Sequence, residues 1–215
     1  MDFFSGSGTT ADAVMRLNKE DGGNRHYILI QLPERINPCS NGNTKRFDTI
    51  CQFSEERIRR AGAAITSKAA QGDNNLFSSD VLDIGFRVLK LDTSNMQDVY
   101  YTPEASSQTT LFEDNVKPDR SPEDILFQVM LECNLPLSAK IEKKTIAGKE
   151  VFNVNDGYLL ACFDEEVNET IITEVAKQKP YYFIMRDKSL SSDNVADNFE
   201  QIFNAYSKDT IRRIL

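Results

Sequence analysis

The stretch Asp2-Phe3-Phe4-Ser5-Gly6-Ser7-Gly8-Thr9-Thr10 constrains the fold of this chain more than any other. An acid and two aromatics run into a Gly-Ser-Gly turn, and a helical pattern begins at once. Glycine lets a backbone turn sharply and lets a ligand approach without Cβ clashes. The helix N-terminus behind such a turn presents unpaired N–H groups. A strand hands over to a helix in this way at cofactor sites. The motif sits almost at residue 1, so the strand it ends is expected to begin before the chain does, as in a truncated protein.

The residues that follow extend the pattern. Ala11, Ala13, Val14 and Leu17 are apolar at helical spacing, with Thr9 or Thr10 as the expected cap and Asp12 in the first turn. Asp21-Gly22-Gly23-Asn24 ends that helix. Residues 26–30, His-Tyr-Ile-Leu-Ile, read as a short buried parallel strand, closed by Gln31, Leu32 and Pro33. Strand, helix, strand at this spacing is half of a doubly wound α/β unit. Residues 37–50 are polar and loop-like. Ser54 is expected to cap a helix with Glu55 and Glu56 in its first turn and Ile58, Ala61, Ala64 and Ile65 along one side. Gly72-Asp73-Asn74-Asn75 ends it. Residues 83–91 alternate enough to be a strand, with Ile84, Phe86, Val88 and Leu89 apolar. Residues 93–120, with Pro103 and Pro118, read as a connector.

A second unit starts near Ser121. Ser121-Pro122-Glu123-Asp124 supplies a cap, a first-turn proline and two acids ahead of Ile125, Leu126, Phe127, Val129, Met130 and Leu131. Runs near 140–147, 150–154 and 158–163 follow, separated by Ala147-Gly148-Lys149 and Asn155-Asp156-Gly157. The second separator is a hairpin signal, so a three-stranded meander is expected. Residues 167–178 suggest a helix, 181–185 a buried strand, and 195–206 another helix. There is no internal repeat or low-complexity tract.

Composition narrows the function. With 40% hydrophobic and 27% charged residues, a packed core is expected. The net charge of −8 argues against the whole chain being a nucleic-acid clamp. Acids outnumber bases both before and after Lys117, so DNA contact must be local or depend on other segments. Cys39, Cys51, Cys133 and Cys162 form no C-x-x-C pair and His26 is the single histidine, so no metal site is expected and the thiols read as reduced. No run is long enough to span a bilayer and the N-terminus is no signal peptide. The expectation is a soluble cytoplasmic protein with no membrane partner.

The F-x-G-x-G core of Phe4-Ser5-Gly6-Ser7-Gly8, continued by Thr9 and Thr10, resembles the S-adenosylmethionine loop (motif I) of amino-directed DNA methyltransferases. Asn24-Arg25-His26-Tyr27-Ile28-Leu29-Ile30-Gln31-Leu32-Pro33-Glu34 is similar to the next strand of the adenine methyltransferase (Mod) subunit of type III restriction–modification systems. So are Asp83-Ile84-Gly85-Phe86-Arg87-Val88 and Leu91-Asp92-Thr93-Ser94-Asn95. The resemblance continues through Leu135-Pro136-Leu137, residues 157–164 and the helix after Asp187, and so covers nearly the whole chain.

The resemblance implies an α/β fold, a partial Rossmann-like S-adenosylmethionine-dependent methyltransferase sheet followed by a small α+β C-terminal domain. Residues 1–92 would belong to the catalytic domain, 93–120 to the connector and 121–215 to a C-terminal interaction domain. In the β-type order of such enzymes the catalytic D-P-P-Y motif precedes the cofactor motif, and the target-recognition region lies between the two. Neither is in this chain, which therefore resembles the C-terminal part of a Mod subunit cut at motif I, and no catalytic residue is assigned. The implied reaction carries a methyl group from S-adenosylmethionine to the exocyclic amine of an adenine flipped from the duplex. The implied cofactor residues are Asp2, Phe4, Ser5, Gly6, Ser7 and Gly8. Gly6 and Gly8 would approach the methionine part, Phe4 would pack nearby and Asp2 would reach its amino group. Many relatives place an acid at the end of the second strand for the ribose. Here that position is Gln31, with Glu34 three residues on. The implied partners are double-stranded DNA through the full-length protein, a second Mod subunit in a homodimer, and the Res helicase/nuclease subunit.

Plainer readings compete at each position. The glycine loop could be a simple strand–helix turn; a phosphate loop is a poor fit because no G-K-[ST] is present. Gln31 and Glu34 could be ordinary loop residues. Arg57, Arg59, Arg60 and Lys68 could touch DNA phosphates, but a solvated helix face with Glu55 paired to Arg59 is favoured. Tyr181-Tyr182-Phe183 could stack bases, but a buried strand is favoured, and His26 reads as structural. The alternative function is a non-catalytic dimerisation or partner-binding module. An enzyme acting on RNA or a small molecule fits less well, given the extended downstream resemblance. Exposed sheet edges and apolar surface predict self-association of the chain.

Overall fold

The computed structural model describes residues 1–36, 47–70, 83–97, 115–190 and 193–215. The loop reading at 37–46, Cys39, the helix end at 72–75 and the connector at 98–114 lie outside the described residues. The chain forms two compact units, Met1–Val88 and Leu89–Leu215.

The first unit contains α1 (Thr9–Asp21) and α2 (Ile50–Ala70). Ala11 and Met15 of α1 meet Ile58, Ala61 and Ile65 of α2, with Tyr27, Leu29, Ile84 and Phe86 packed against them. The buried stripe of α1 is therefore 11-15-18, not 11-13-14-17: Ala13 is exposed and Leu17 is 42% exposed. The third member is Asn18, whose amide donates to the Arg25 carbonyl at 2.9 Å and accepts from the Arg25 N–H at 3.0 Å. That pair ties the returning chain to the helix, a polar use of a core position that an apolar pattern does not reveal. Gly22 closes α1 in the left-handed region (φ 68°).

Residues 26–30 do run parallel to the first residues, through an Asp2–Leu29 bridge: Asp2 N donates to Ile28 O and Ile30 N donates to Asp2 O, both at 2.9 Å. They are not buried as expected. Tyr27 and Leu29 face the core, whereas Ile28 (60%) and Ile30 (45%) face outward. Residues 83–91 also depart from expectation, since they form no strand. Ile84 and Phe86 dock side chains on α2, and Arg59 lies 5.5 Å over the Phe86 ring. Alternation there reports which side chains touch a helix, not a paired backbone. Nor does Ser54 cap α2. The helix starts at Ile50, with the Thr49 hydroxyl accepting from Gln52 N at 3.4 Å, and Ser54 is buried within it.

The second unit is built on a five-stranded sheet in chain order: β1 (Ile141–Ile146), β2 (Lys149–Val154), β3 (Leu159–Cys162), β4 (Tyr182–Met185) and β5 (Ile211–Ile214). The first three form the antiparallel meander; β3–β4 and β4–β5 are parallel. Asn155 and Asp156 turn the second hairpin with φ of 53° and 52°, a conformation these residues tolerate. Period-two alternation splits the core. Phe152, Val154, Leu159, Ala161 and Ile184 pack with α3 (Pro122–Glu132). Val151, Leu160, Cys162, Phe183 and Met185 pack with α4 (Glu169–Lys177) and α5 (Asp193–Tyr206). A sheet covered on both faces reads as continuous apolar runs, as β3 and β4 do. Strand β5 was not expected: Ile-Arg-Arg-Ile is short, half polar and at the sheet edge.

α3 opens with a capping box. Ser121 Oγ accepts from Asp124 N at 3.2 Å, and Asp124 Oδ2 accepts from Ser121 N at 2.9 Å. The Ser121 hydroxyl and then its amide hold the Asp124 carboxyl below the usual range. A lowered carboxylate pKa adds stability above the ordinary aspartate value and loses it as pH falls through the lowered one. Ser121→Ala should cost about 1 kcal/mol in chemical denaturation at neutral pH, and the difference from wild type should shrink on acidification. Cys51, Cys133 and Cys162 are free, and burial pushes the Cys162 thiol up to about 11. Among the described residues no helix is long and apolar enough to cross a membrane.

Candidate cofactor site

The glycine loop lies between the Asp2–Leu29 pair and α1. Gly6 and Gly8 both hold positive φ, 52° and 75°. Gly8 N donates to Ser5 O at 2.8 Å, closing the turn, and Ser5 is buried. Gly8 itself is the N-terminal cap of α1 and no side chain caps the helix, contrary to the expectation for Thr9 or Thr10. The cap position falls one residue earlier, so Thr9 and Thr10 already lie inside α1, and the Thr10 hydroxyl donates to Asp2 Oδ2 at 2.7 Å. Asp2 Oδ1 accepts from Phe4 N at 3.1 Å. The Thr10 hydroxyl, then the Phe4 amide, hold the Asp2 carboxyl below its ordinary value, so it stays ionised at neutral pH.

Gln31 meets the loop directly, its Oε1 accepting from Gly6 N at 2.9 Å. Glu34 does not join it. That residue is exposed, and its carbonyl accepts from Ile50 N at 3.0 Å beside an Arg35–Thr49 bridge. Phe4 is 90% exposed. The structure thus gathers Asp2, Ser5, Gly6, Ser7, Gly8 and Gln31, leaves Phe4 as a free ring beside them, and sets Glu34 apart.

Three α2 residues that sequence reasoning did not assign to the loop touch it. A Cβ on Gly8 would lie 2.5 Å from Ser54 Oγ and 3.3 Å from Ile58 Cγ1, so only glycine fits there. Arg57 Nη1 donates to Ser7 Oγ at 2.9 Å. The sequence groups Arg57 with Arg59, Arg60 and Lys68 as one basic face. Arg59 and Arg60 instead pair with Glu55 at 3.2 Å and Glu56 at 2.7 Å, as on a solvated helix face. The available signal was spacing: Ser54, Ile58, Ala61 and Ile65 recur on the core side of α2, and Arg57 borders that side.

The second unit carries a separate aromatic cluster. Tyr158 and Tyr181 stack with centroids 4.9 Å apart and planes 9° off parallel, and Tyr182 meets both edge-on. Tyr181 is 49% exposed, so only Phe183–Met185 of the expected buried strand is fully covered.

No protein-family model matches the chain. Curated relatives do. The chain is similar to Mod subunits of type III restriction-modification enzymes. It is 38% identical over 97 residues (45% of the chain) to the StyLTI Mod subunit of Salmonella typhimurium, and 36% identical over 89 residues (41%) to the EcoPI Mod subunit of Escherichia phage P1. It is 28% identical over 187 residues (84%) to the EcoP15I Mod subunit of Escherichia coli. The chain spans only a small part of these relatives: 14%, 12% and 26% of their lengths.

Proposed function

We propose that this chain is the C-terminal part of a type III Mod subunit, a DNA adenine methyltransferase that uses S-adenosylmethionine. The observation that carries the reading is the braced Gly6–Gly8 turn between the Asp2–Leu29 bridge and α1, in a chain similar along 84% of its length to a Mod subunit. The residues fit the cofactor. Asp2 offers an ionised carboxylate with two of its roughly four acceptor sites in use, suited to an amino group. Gly6 leaves room for close backbone approach, and Phe4 presents a free aromatic face. When bound, the cofactor supplies a methyl group activated on a sulfonium. The chain's own part is to orient it: backbone at the loop, charge at Asp2, an apolar wall at Phe4. The groups that would hold the adenine amine are not in this sequence, so methyl transfer belongs to the full protein. On this reading residues 1–92 complete a Rossmann-like catalytic domain in the cytoplasm, and 93–120 lead to 121–215. Double-stranded DNA, a second Mod subunit and the Res subunit are the partners.

Isothermal titration of the purified chain with S-adenosylmethionine and S-adenosylhomocysteine tests the site. Saturable binding of both is expected. A folded chain that gives no binding would sink the cofactor-site reading for the isolated chain and favour the alternative, a non-catalytic partner-binding module. A specific observation speaks for that second reading: the second unit has its own two-faced core and an exposed tyrosine stack.

A further inference from the structure

We propose that Arg57 is a positioning residue that clamps the glycine loop, so that α2 rather than the loop sequence alone sets the loop's shape. The inference rests on the cofactor-site reading for its function, but its geometry stands by itself. The guanidinium reaches two elements at once: Nη1 donates to Ser7 Oγ at the loop tip at 2.9 Å, and Nη2 lies 3.7 Å from Asp12 Oδ2 in the first turn of α1. Asp12 is 17% exposed and also pairs with Arg16 at 2.6 Å. One turn of the same α2 face puts Ser54 and Ile58 directly behind Gly8. On the loop's other side Gln31 occupies the Gly6 N–H. The loop is therefore gripped from both flanks by residues outside the motif. A planar fork suits this task, because it meets a hydroxyl and a carboxylate together; a lysine ammonium is a single point charge that meets them less well.

Amide hydrogen exchange by NMR, read on the ligand-free 215-residue chain, tests the clamp. Arg57→Ala should speed exchange at Gly6 and Gly8 by about tenfold, the effect of losing one hydrogen bond of typical net strength. Ser7→Ala, which removes the loop contact and leaves the Asp12 pair, should speed exchange by no more than Arg57→Ala does, and the double variant should do no more than Arg57→Ala alone, since the loop contact is then already gone. Arg57→Lys should fall between. Amides of β3 and β4 should be unchanged, which separates a local clamp from a folding defect. Unchanged loop exchange in Arg57→Ala, or additive effects with Ser7→Ala, would overturn the proposal. Titration with S-adenosylmethionine then separates it from the reading it rests on. Faster loop exchange with no binding in wild type or variant upholds the clamp and removes the cofactor reading. Binding that Arg57→Ala leaves untouched, with exchange also unchanged, does the reverse.

Discussion

Gly8→Val is expected to abolish the proposed S-adenosylmethionine binding and to lower the melting temperature of the first unit, while the second unit keeps its own transition. Two costs combine. The residue sits at φ 75°, where a β-branched side chain is strained by about 1–3 kcal/mol. Its Cβ would also fall 2.5 Å from Ser54 Oγ, with Ile58 directly behind. Ser54 is buried, so its hydroxyl must rotate within a packed site or the loop or the helix must shift, adding about 1–3 kcal/mol of overpacking. A shift of the loop would break the 2.8 Å turn bond from Gly8 N to Ser5 O. Calorimetric titration and a thermal melt give both readouts. Ser54→Ala placed in a Gly8→Ala background should recover part of the stability, because it removes the colliding Oγ and leaves the backbone strain. Wild-type affinity in Gly8→Val would refute the fit of glycine to this site.

Phe183→Ala should be the most damaging single truncation in the second unit. The ring is fully buried at the centre of β4 and packs 5.4 Å from Phe203 and 6.0 Å from Phe199. Removing a buried phenylalanine side chain costs about 3–5 kcal/mol. Whole domains are stable by only about 5–15 kcal/mol, so the variant should be marginal at body temperature. The chain has no tryptophan, so urea unfolding is best followed by circular dichroism. A loss below about 1 kcal/mol would mean that α4 and α5 close over the gap more readily than native packing usually allows.

The sequence made some elements readable and hid others for physical reasons. Where capping chemistry and apolar period agreed, as at Ser121–Asp124 ahead of α3, the helix start was legible to the residue. Asn155-Asp156 marked its turn because few other residues accept positive φ. At residues 83–91 an alternating run looked like a strand, but strand formation needs a partner backbone, which no local pattern encodes. Ile28 and Ile30 looked like core because an apolar run does not say whether one face or two are covered. β5 was missed because its pairing with β4 is supplied by the existing sheet rather than by its own composition. At the site, the Gly-Ser-Gly motif showed where the loop is. What it did not show is that Thr10 would serve Asp2 instead of the helix, or that α2 would back Gly8. Those are contacts between segments distant in sequence or between competing acceptors.

The strand order of the second unit, β1-β2-β3-β4-β5, also bears on how it folds. Every strand lies beside the strand made just before it. The early meander closes through two short turns, and each later strand is one helix away from its neighbour, so contact order is low for a sheet of this size. As the chain is synthesised from its N-terminus, each strand finds its partner already in place. This order lets the sheet grow as a single front from β1 to β5, and no strand has to be inserted between two that are already paired.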